Sequence, residues 1–469
     1  MTLKTILLAG SVIGTAALAA GPAAAQASQA QIDALNKQIQ SLQEQVKTLG
    51  DTLNKEIKKV DEKVTKLPTV SVDGGRMRIR SADRANDMAI RARLHFDYGH
   101  WFPGDNNTND YSDGFQVRRA FLGVSGTVMT DWGYEFTANF AGNRGGSSQI
   151  QAANITYRGI KDTVLIAGVS QPKFTLDDST SSNDIPFMER ASVNNILVGI
   201  GGSDGRTMVG FTTTQASGKL FIAGYLTGEL TGSTGNIDDQ QNLLGRVAYK
   251  AFEDNNGALG IGFSGAYRYQ MPTTAGANTA RVYRFDDRPE IRIGGDTPRL
   301  TRSEEITFVD SVHAYGVDVA GHYRNFWAAA EYATFGASTD IRSQYDDPEF
   351  SSWYASAGWI ITGERRRYTL GEFAGVRPSW PLGQKGYGAW ELAVRYSESD
   401  LLDEGARRSG TLATTSLAGE QTVWTLGVNW YVNSAVRVMW NYIIAENDRP
   451  GTRPDLETDA LAMRVQFQF

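Results

Sequence analysis

From residue 89 onward, apolar and polar residues alternate with a period of two. Ile90, Ala92, Leu94, Phe96 and Tyr98 fall on one face, and Arg91, Arg93, His95 and Asp97 on the other. The rhythm returns at Trp390, Leu392, Val394 and Tyr396, at Trp424, Leu426, Val428 and Trp430, and at Val436, Val438, Trp440 and Tyr442. Such alternation marks strands with two unlike faces. A soluble sandwich also alternates, but these runs reach about ten residues, the length that crosses a bilayer when tilted. Trp and Tyr stand at their ends, as interfacial girdles do. No stretch of about eighteen apolar residues follows the N-terminal segment, so spanning helices are excluded. A closed barrel is then the remaining way to satisfy every backbone group in lipid.

Sixteen strands are expected, near 89–100, 115–128, 132–141, 150–158, 163–170, 207–213, 219–227, 242–251, 258–269, 313–323, 326–335, 353–362, 386–397, 421–432, 435–446 and 459–469. A hairpin-like piece around 74–81 would make the count odd and is assigned to the periplasmic side. Connections after even strands are mostly tight, as at Arg324-Asn325 and Asn433-Ser434; those after odd strands are mostly long, as at 171–206 and 270–312. Short periplasmic turns alternating with long outer loops is the outer-membrane pattern. A short outer connection at 142–149 and a long periplasmic one at 363–385 break it. The fold class is therefore all-β: a sixteen-stranded antiparallel transmembrane barrel preceded by a short helical coiled coil. The last strand carries Leu461, Met463, Val465, Phe467 and Phe469 on one face and ends on an aromatic residue, like the signal read by barrel-assembly machinery.

The N-terminal segment obeys other rules. Lys4, an apolar Ala-rich core from Ile6 to Ala20, and Ala23-Ala24-Ala25 after Gly21-Pro22 form a secretory signal peptide, expected over 1–25. Ile32, Ile39, Val46, Leu53, Val60 and Leu67 then repeat every seven residues, with Leu35, Leu42 and Leu49 three positions on. These are the a and d sites of a coiled coil, expected in the periplasm over 28–67. Glu56 and Lys63 interrupt the second series and Ile57 and Val64 take over, so the seam drifts. A lone amphipathic helix is the alternative. Pro68 ends the helix, a linker or hairpin occupies 68–88, and the barrel domain runs over 89–469.

The face opposite the lipid-facing aromatics carries Arg91, Arg93, Arg158, Arg246, Lys250, Arg268, Arg395, Arg437 and Arg464, against Asp97, Glu135, Asp318, Glu331 and Glu391. Basic residues dominate this lumen face although the whole chain has net charge −6. Rings of Arg favour anions, and guanidinium forks suit phosphate or carboxylate without losing their charge. A balanced, unselective wall is the alternative. The loop 171–206 is long enough to fold inward and narrow the bore, placing Arg190 there. Enzyme readings fare badly. Cysteine is absent, and His95, His100, His313 and His322 show no metal-binding spacing. Gly199-Ile200-Gly201-Gly202 lacks the setting of a dinucleotide fingerprint, and no G-x-S-x-G elbow occurs. No cofactor, metal or nucleic acid is expected. Asp177-Asp178, Asp238-Asp239 and Asp346-Asp347 read as solvated loop charge. Two classes remain: an anion diffusion channel, or a structural anchor whose coiled coil contacts peptidoglycan.

Several segments resemble one family. Phe115-Gln116-Val117-Arg118-Arg119-Ala120-Phe121-Leu122 is similar to the RRA-x-L strand of the phosphate-selective porins O and P, and Phe187-Met188-Glu189-Arg190 to their ER motif. Leu370–Pro378, Gly388–Leu392 with Arg395-Tyr396-Ser397, Leu426–Tyr431 and Met463–Phe467 resemble later motifs. The likeness covers roughly 70–469. It implies a sixteen-stranded, trimeric outer-membrane barrel, in contact with outer-membrane lipid and lipopolysaccharide, that passes small phosphate-like anions. Arg118, Arg119 and Arg190 would form the constriction. Strict alternation admits only one of Arg118 and Arg119 to the lumen, so a bulge or a loop-facing side chain must serve the other. Arg281, Arg284, Arg288 and Arg292, with Arg299 and Arg302, correspond to an outer-loop funnel, here interrupted by Asp286, Asp287, Glu290 and Asp296. The family's acidic residue on the fourth strand is missing, and Gln151 stands near its place.

Overall fold

The computed structural model describes residues 22–73, 75–141, 149–203, 205–231, 236–238, 240–274, 281–293, 297–410 and 416–469. Most of the expected signal peptide and of the connection at 142–149 lies outside them. The N-terminal unit is one helix, α1 (Pro22–Val64). Ile32, Leu35, Ile39, Leu42, Val46 and Leu49 are all exposed along it, so a single copy leaves its apolar seam in water.

The second unit begins with a hairpin, β1 (Thr69–Asp73) and β2 (Arg76–Arg80), turned at Gly75 with a positive φ of 84°. Sixteen long strands follow: β3 (Asp87–Pro103), β4 (Gly114–Val128), β5 (Trp132–Asn139), β6 (Gln149–Tyr157), β7 (Thr163–Ser170), β8 (Arg206–Gln215), β9 (Leu220–Leu230), β10 (Gln241–Glu253), β11 (Gly257–Gln270), β12 (Val309–Tyr323), β13 (Phe326–Thr339), β14 (Glu349–Ile360), β15 (Ala389–Asp400), β16 (Glu420–Tyr431), β17 (Val436–Asp448) and β18 (Leu456–Gln468). Each pairs antiparallel with its neighbour, and β18 pairs with β3, Asp97 opposite Arg464, to close the barrel. Closure leaves none of these sixteen strands with a free edge, the condition for strands in lipid. The hairpin belongs to the sheet. Strand β2 pairs with Asp87–Ala89 of β3, beyond the end of β18, and lengthens the wall there.

The wall is inverted relative to a soluble protein. Leu94, Phe96, Phe263 and Trp424 are exposed outside, while His95, Asp97, Arg246, Arg395 and Arg464 are buried inside. Several register shifts interrupt the ladders, and two of them bear on the lumen. His95 pairs with Arg119 and Phe96 with Val117, so Arg118 is an extra residue in β4. Thr137 pairs with Ala152 and Ala138 with Ile150, so Gln151 is an extra residue in β6. An extra residue resets the phase, and two consecutive side chains then face the same way.

The interior is far from empty. Residues 171–203 fold inside as α2 (Leu176–Ser179) and α3 (Ser192–Gly201), burying Phe174, Leu176, Phe187, Met188, Leu197 and Ile200. Gly427 makes room for this segment: an added Cβ would stand 3.3 Å from the Phe187 ring. Both ends of α3 meet complementary charge from elsewhere in the chain. Ser192 N donates to Glu290 at 2.6 Å, while Arg268 donates to the Gly199 and Ile200 carbonyls and Arg206 to Gly202 O at 2.9 Å. Part of the loop after β11 also turns inward, burying Phe285, Ile291, Ile293 and Leu300. The long connection 361–388 enters from the opposite end, where Phe373 N donates to Thr180 Oγ1 at 3.2 Å.

Candidate functional site: an arginine-lined lumen

Three cavities lie in file through what the folded-in segments leave open. The one nearest the long loops is about 690 Å³, the middle one about 330 Å³, and the one at the tight-turn end about 1190 Å³. The first two share Phe121, Gln151, Gln171 and Asp178; the last two share Arg76, Arg91, Arg93 and Lys173. Around the first stand Arg118, Arg119, Arg190, Arg288 and Arg292 against Asp178 and Glu189. Around the last, Arg76, Arg78, Arg80, Arg365, Arg367 and Arg377 join the shared residues, facing Asp184, Glu364 and Glu372. Among the described residues basic groups outnumber acidic ones at each level.

The bulge at Arg118 brings both motif arginines to the interior. Arg118 grips Glu189 with Nε and Nη2 at 2.8 and 2.9 Å. Arg119 reaches His95 Nδ1 at 3.4 Å, and His95 Nε2 meets Asn183 Oδ1 at 3.1 Å. Arg190 donates to Thr180 O at 3.0 Å and lies 3.7 Å from Asp177 and 4.0 Å from Asp178. The acidic pair Asp177-Asp178, expected in solvent, is thus folded inside, where Leu176 N and Asp177 N are held by Glu331 at 2.9 Å. The bulge at Gln151 sets a neutral amide in the neck between the first two cavities.

The expected lumen residues separate into sets. Arg91 and Arg93 line the middle and lower cavities, Arg91 paired to Glu135 at 2.6 Å and Arg93 bonded to Ser182 Oγ at 2.6 Å. Arg246, Arg268, Arg395 and Arg437 point inward but stand away from those three cavities, because the folded-in segments cover them. Arg246 pairs with Asp318 at 2.9 Å and donates to Phe174 O and Gly371 O. Arg268 holds the end of α3. Arg395 meets Glu290 at 2.6 Å and Glu189 O at 3.2 Å. Arg437 donates to Asn183 O and Ile185 O at 3.2 and 2.8 Å. These four therefore anchor chain rather than line open water. Arg158 is exposed beyond the end of β6, and Lys250 pairs with Glu253 at 2.9 Å.

The outer-loop arginines also divide. Arg281 and Arg284 remain outside with Asp310 and Glu305, at 3.7 and 2.9 Å. Arg288 and Arg292 reach the upper cavity. The neighbouring Arg118 and burial together hold the Arg292 guanidinium below its ordinary value, at about 10. Burial, with Glu290 close by, pushes the Asp287 carboxyl up to about 7.

Arg76, Arg78, Arg80, Arg365, Arg367, Arg377 and Lys173 escaped the sequence reading. The alternation Arg76-Met77-Arg78-Ile79-Arg80 could have found three of them, had the hairpin been counted as wall. For the arginines of 361–388 the sole signal is a connection too long for a tight turn.

A profile of the phosphate-selective porin O and P family matches residues 88–469. Porin O of Pseudomonas aeruginosa is 26% identical over 434 residues, covering 86% of this chain and 94% of the relative. An uncharacterized Caulobacter vibrioides protein is 26% identical over 430 residues, covering 87% and 78%. Among solved structures, an anion-selective porin from Comamonas acidovorans superposes with a TM-score of 0.51 at 10% identity, covering 82% of this chain and 100% of that one. A loop-deletion form of OmpT from Vibrio cholerae gives 0.50 at 11%, with the same coverage. These two likenesses establish the porin fold, and the profile match extends over nearly the whole barrel. The chain belongs to the phosphate-selective porin O and P family of outer-membrane β-barrels.

Proposed function

We propose that this porin is a passive channel for small oxyanions, phosphate foremost, and that Arg118, Arg119 and Arg190 select them in the cavity nearest the long loops. The observation that carries the proposal is the file of three cavities with an excess of guanidinium groups at every level. Guanidinium forks recognise tetrahedral oxyanions bidentately and stay charged at any physiological pH. Several successive weak sites suit conduction better than one tight site. Arg91, Arg93 and the arginines of the tight-turn end extend the series toward the periplasm, and Arg288 and Arg292 supply its outer end.

Copies of the chain assemble as a homotrimer in this proposal, with α1 in the periplasm. The exposed seam of α1 supports self-association. In its first two heptads the flanking positions carry Asn36, Gln38, Gln43 and Gln45, so identical helices meet there without like-charge repulsion. The test is a planar-bilayer phosphate titration of the chloride current. Phosphate should block native channels, and Arg119→Glu or Arg190→Glu should raise the half-blocking concentration about tenfold or more and lower anion selectivity. Unchanged block and reversal potential in both variants would refute the assignment.

A further inference from the structure

The carboxylate of Glu189 stands where an arriving anion would be expected to bind. Its Oε1 accepts from Arg118 Nε and from Arg464 Nη2, each at 2.8 Å, and its Oε2 accepts from Arg118 Nη2 at 2.9 Å. Arg464 in turn grips both oxygens of Asp97 at 2.7 Å. Two guanidinium groups and two carboxylates thus close a quartet of zero net charge. Glu189 nevertheless lines the upper cavity, together with Arg119, Arg288 and Arg292. Its residue is 8% exposed, so its charge is only weakly screened by water.

We propose that Glu189 is a built-in counter-anion that weakens anion binding at the constriction and thereby sets how fast anions leave. The proposal rests on the arginine assignment above. Arg118 offers its bidentate face to Glu189, so Arg118 acts as the link between quartet and cavity while Arg119, Arg190, Arg288 and Arg292 present charge to the solute. A channel needs attraction sufficient for capture and release fast enough for flux. Several arginines around about 690 Å³ would hold a doubly charged oxyanion too long without a compensating negative charge in the same cavity. Glu189 supplies that charge from the folded-in segment, and the Arg118–Arg464 clamp fixes its distance from the passing ion.

The experiment is single-channel recording of the full chain in planar bilayers, with inorganic phosphate titrated against chloride. Glu189→Gln keeps an acceptor oxygen and removes the charge. Its half-blocking phosphate concentration should fall about tenfold, with a lower current at saturating phosphate. Glu189→Asp keeps the charge and should shift both quantities less than Glu189→Gln does. A carboxylate that merely holds Arg118 in place would give the opposite split, with weaker block and lost selectivity in Glu189→Gln. That result, or an unchanged half-block in a variant that still opens, overturns the proposal. Asp97→Asn removes a charge from the same quartet and should move half-block in the same direction, which keeps the test alive if Glu189→Gln does not fold. Arg119→Ala, recorded in parallel, separates the two levels. If it weakens phosphate block while neither carboxylate variant tightens it, the counter-anion fails and the arginine constriction stands. If none of the variants alters block, both fail.

Discussion

Arg118 exists as an inward-facing residue only because β4 carries one residue more than β3 opposite it. Deleting Arg118 should restore plain pairing, keep Arg119 inside and leave Glu189 without its bidentate partner. The barrel should still fold, since the ladder on either side is intact, but anion selectivity should drop; reversal potentials in a salt gradient check this. Asp287 makes a second prediction. Its carboxyl is raised by burial to about 7, against an unfolded value near 4. Docking of its loop is therefore strongest below about pH 4 and weakens progressively as pH rises through 7, because ionisation is disfavoured in the docked state. Open-channel noise should grow between pH 5 and 8.5 in the native protein, and Asp287→Asn should remove that dependence.

The inward segments and the wall are fastened by arginines that donate to carbonyls. A buried carbonyl left without a donor costs about 1–3 kcal/mol. Arg437 serves Asn183 O, Ile185 O and Asn429 Oδ1 at once. Arg437→Met should therefore destabilise the docked 171–203 segment by about 3 kcal/mol or more. Faster proteolysis of that segment in detergent-solubilised protein, with barrel strands still protected, is the expected readout. For α1, Leu42→Glu places charge in the middle of the seam and should abolish helix-mediated association, measurable as lost cross-linking between cysteines introduced at Leu35. Persistent cross-linking would show that the seam is not the contact.

At the scale of the whole molecule, the period of two made the barrel legible, and all sixteen expected strands are present within a few residues at their ends. Alternation reports which face is inside; it is silent on whether the inside at that height holds water or chain. Arg91 and Arg246 have the same pattern in sequence, yet one borders a cavity and the other is sealed beneath Phe174 and Gly371. The motif arginines carried a further clue, because two consecutive arginines violate alternation unless a bulge intervenes. Asp177-Asp178 reads as solvated for a related reason: an acidic pair in a long loop looks so until the loop is seen to fold inside. The measurement that bears most directly on a cationic conduit is the reversal potential of single open channels across a tenfold KCl gradient. An arginine-lined path predicts a potential close to the chloride equilibrium value, collapsing toward zero when Arg119 and Arg190 are both replaced by Gln. A native potential near the potassium value, or barrels that insert and pass no steady current, would contradict it.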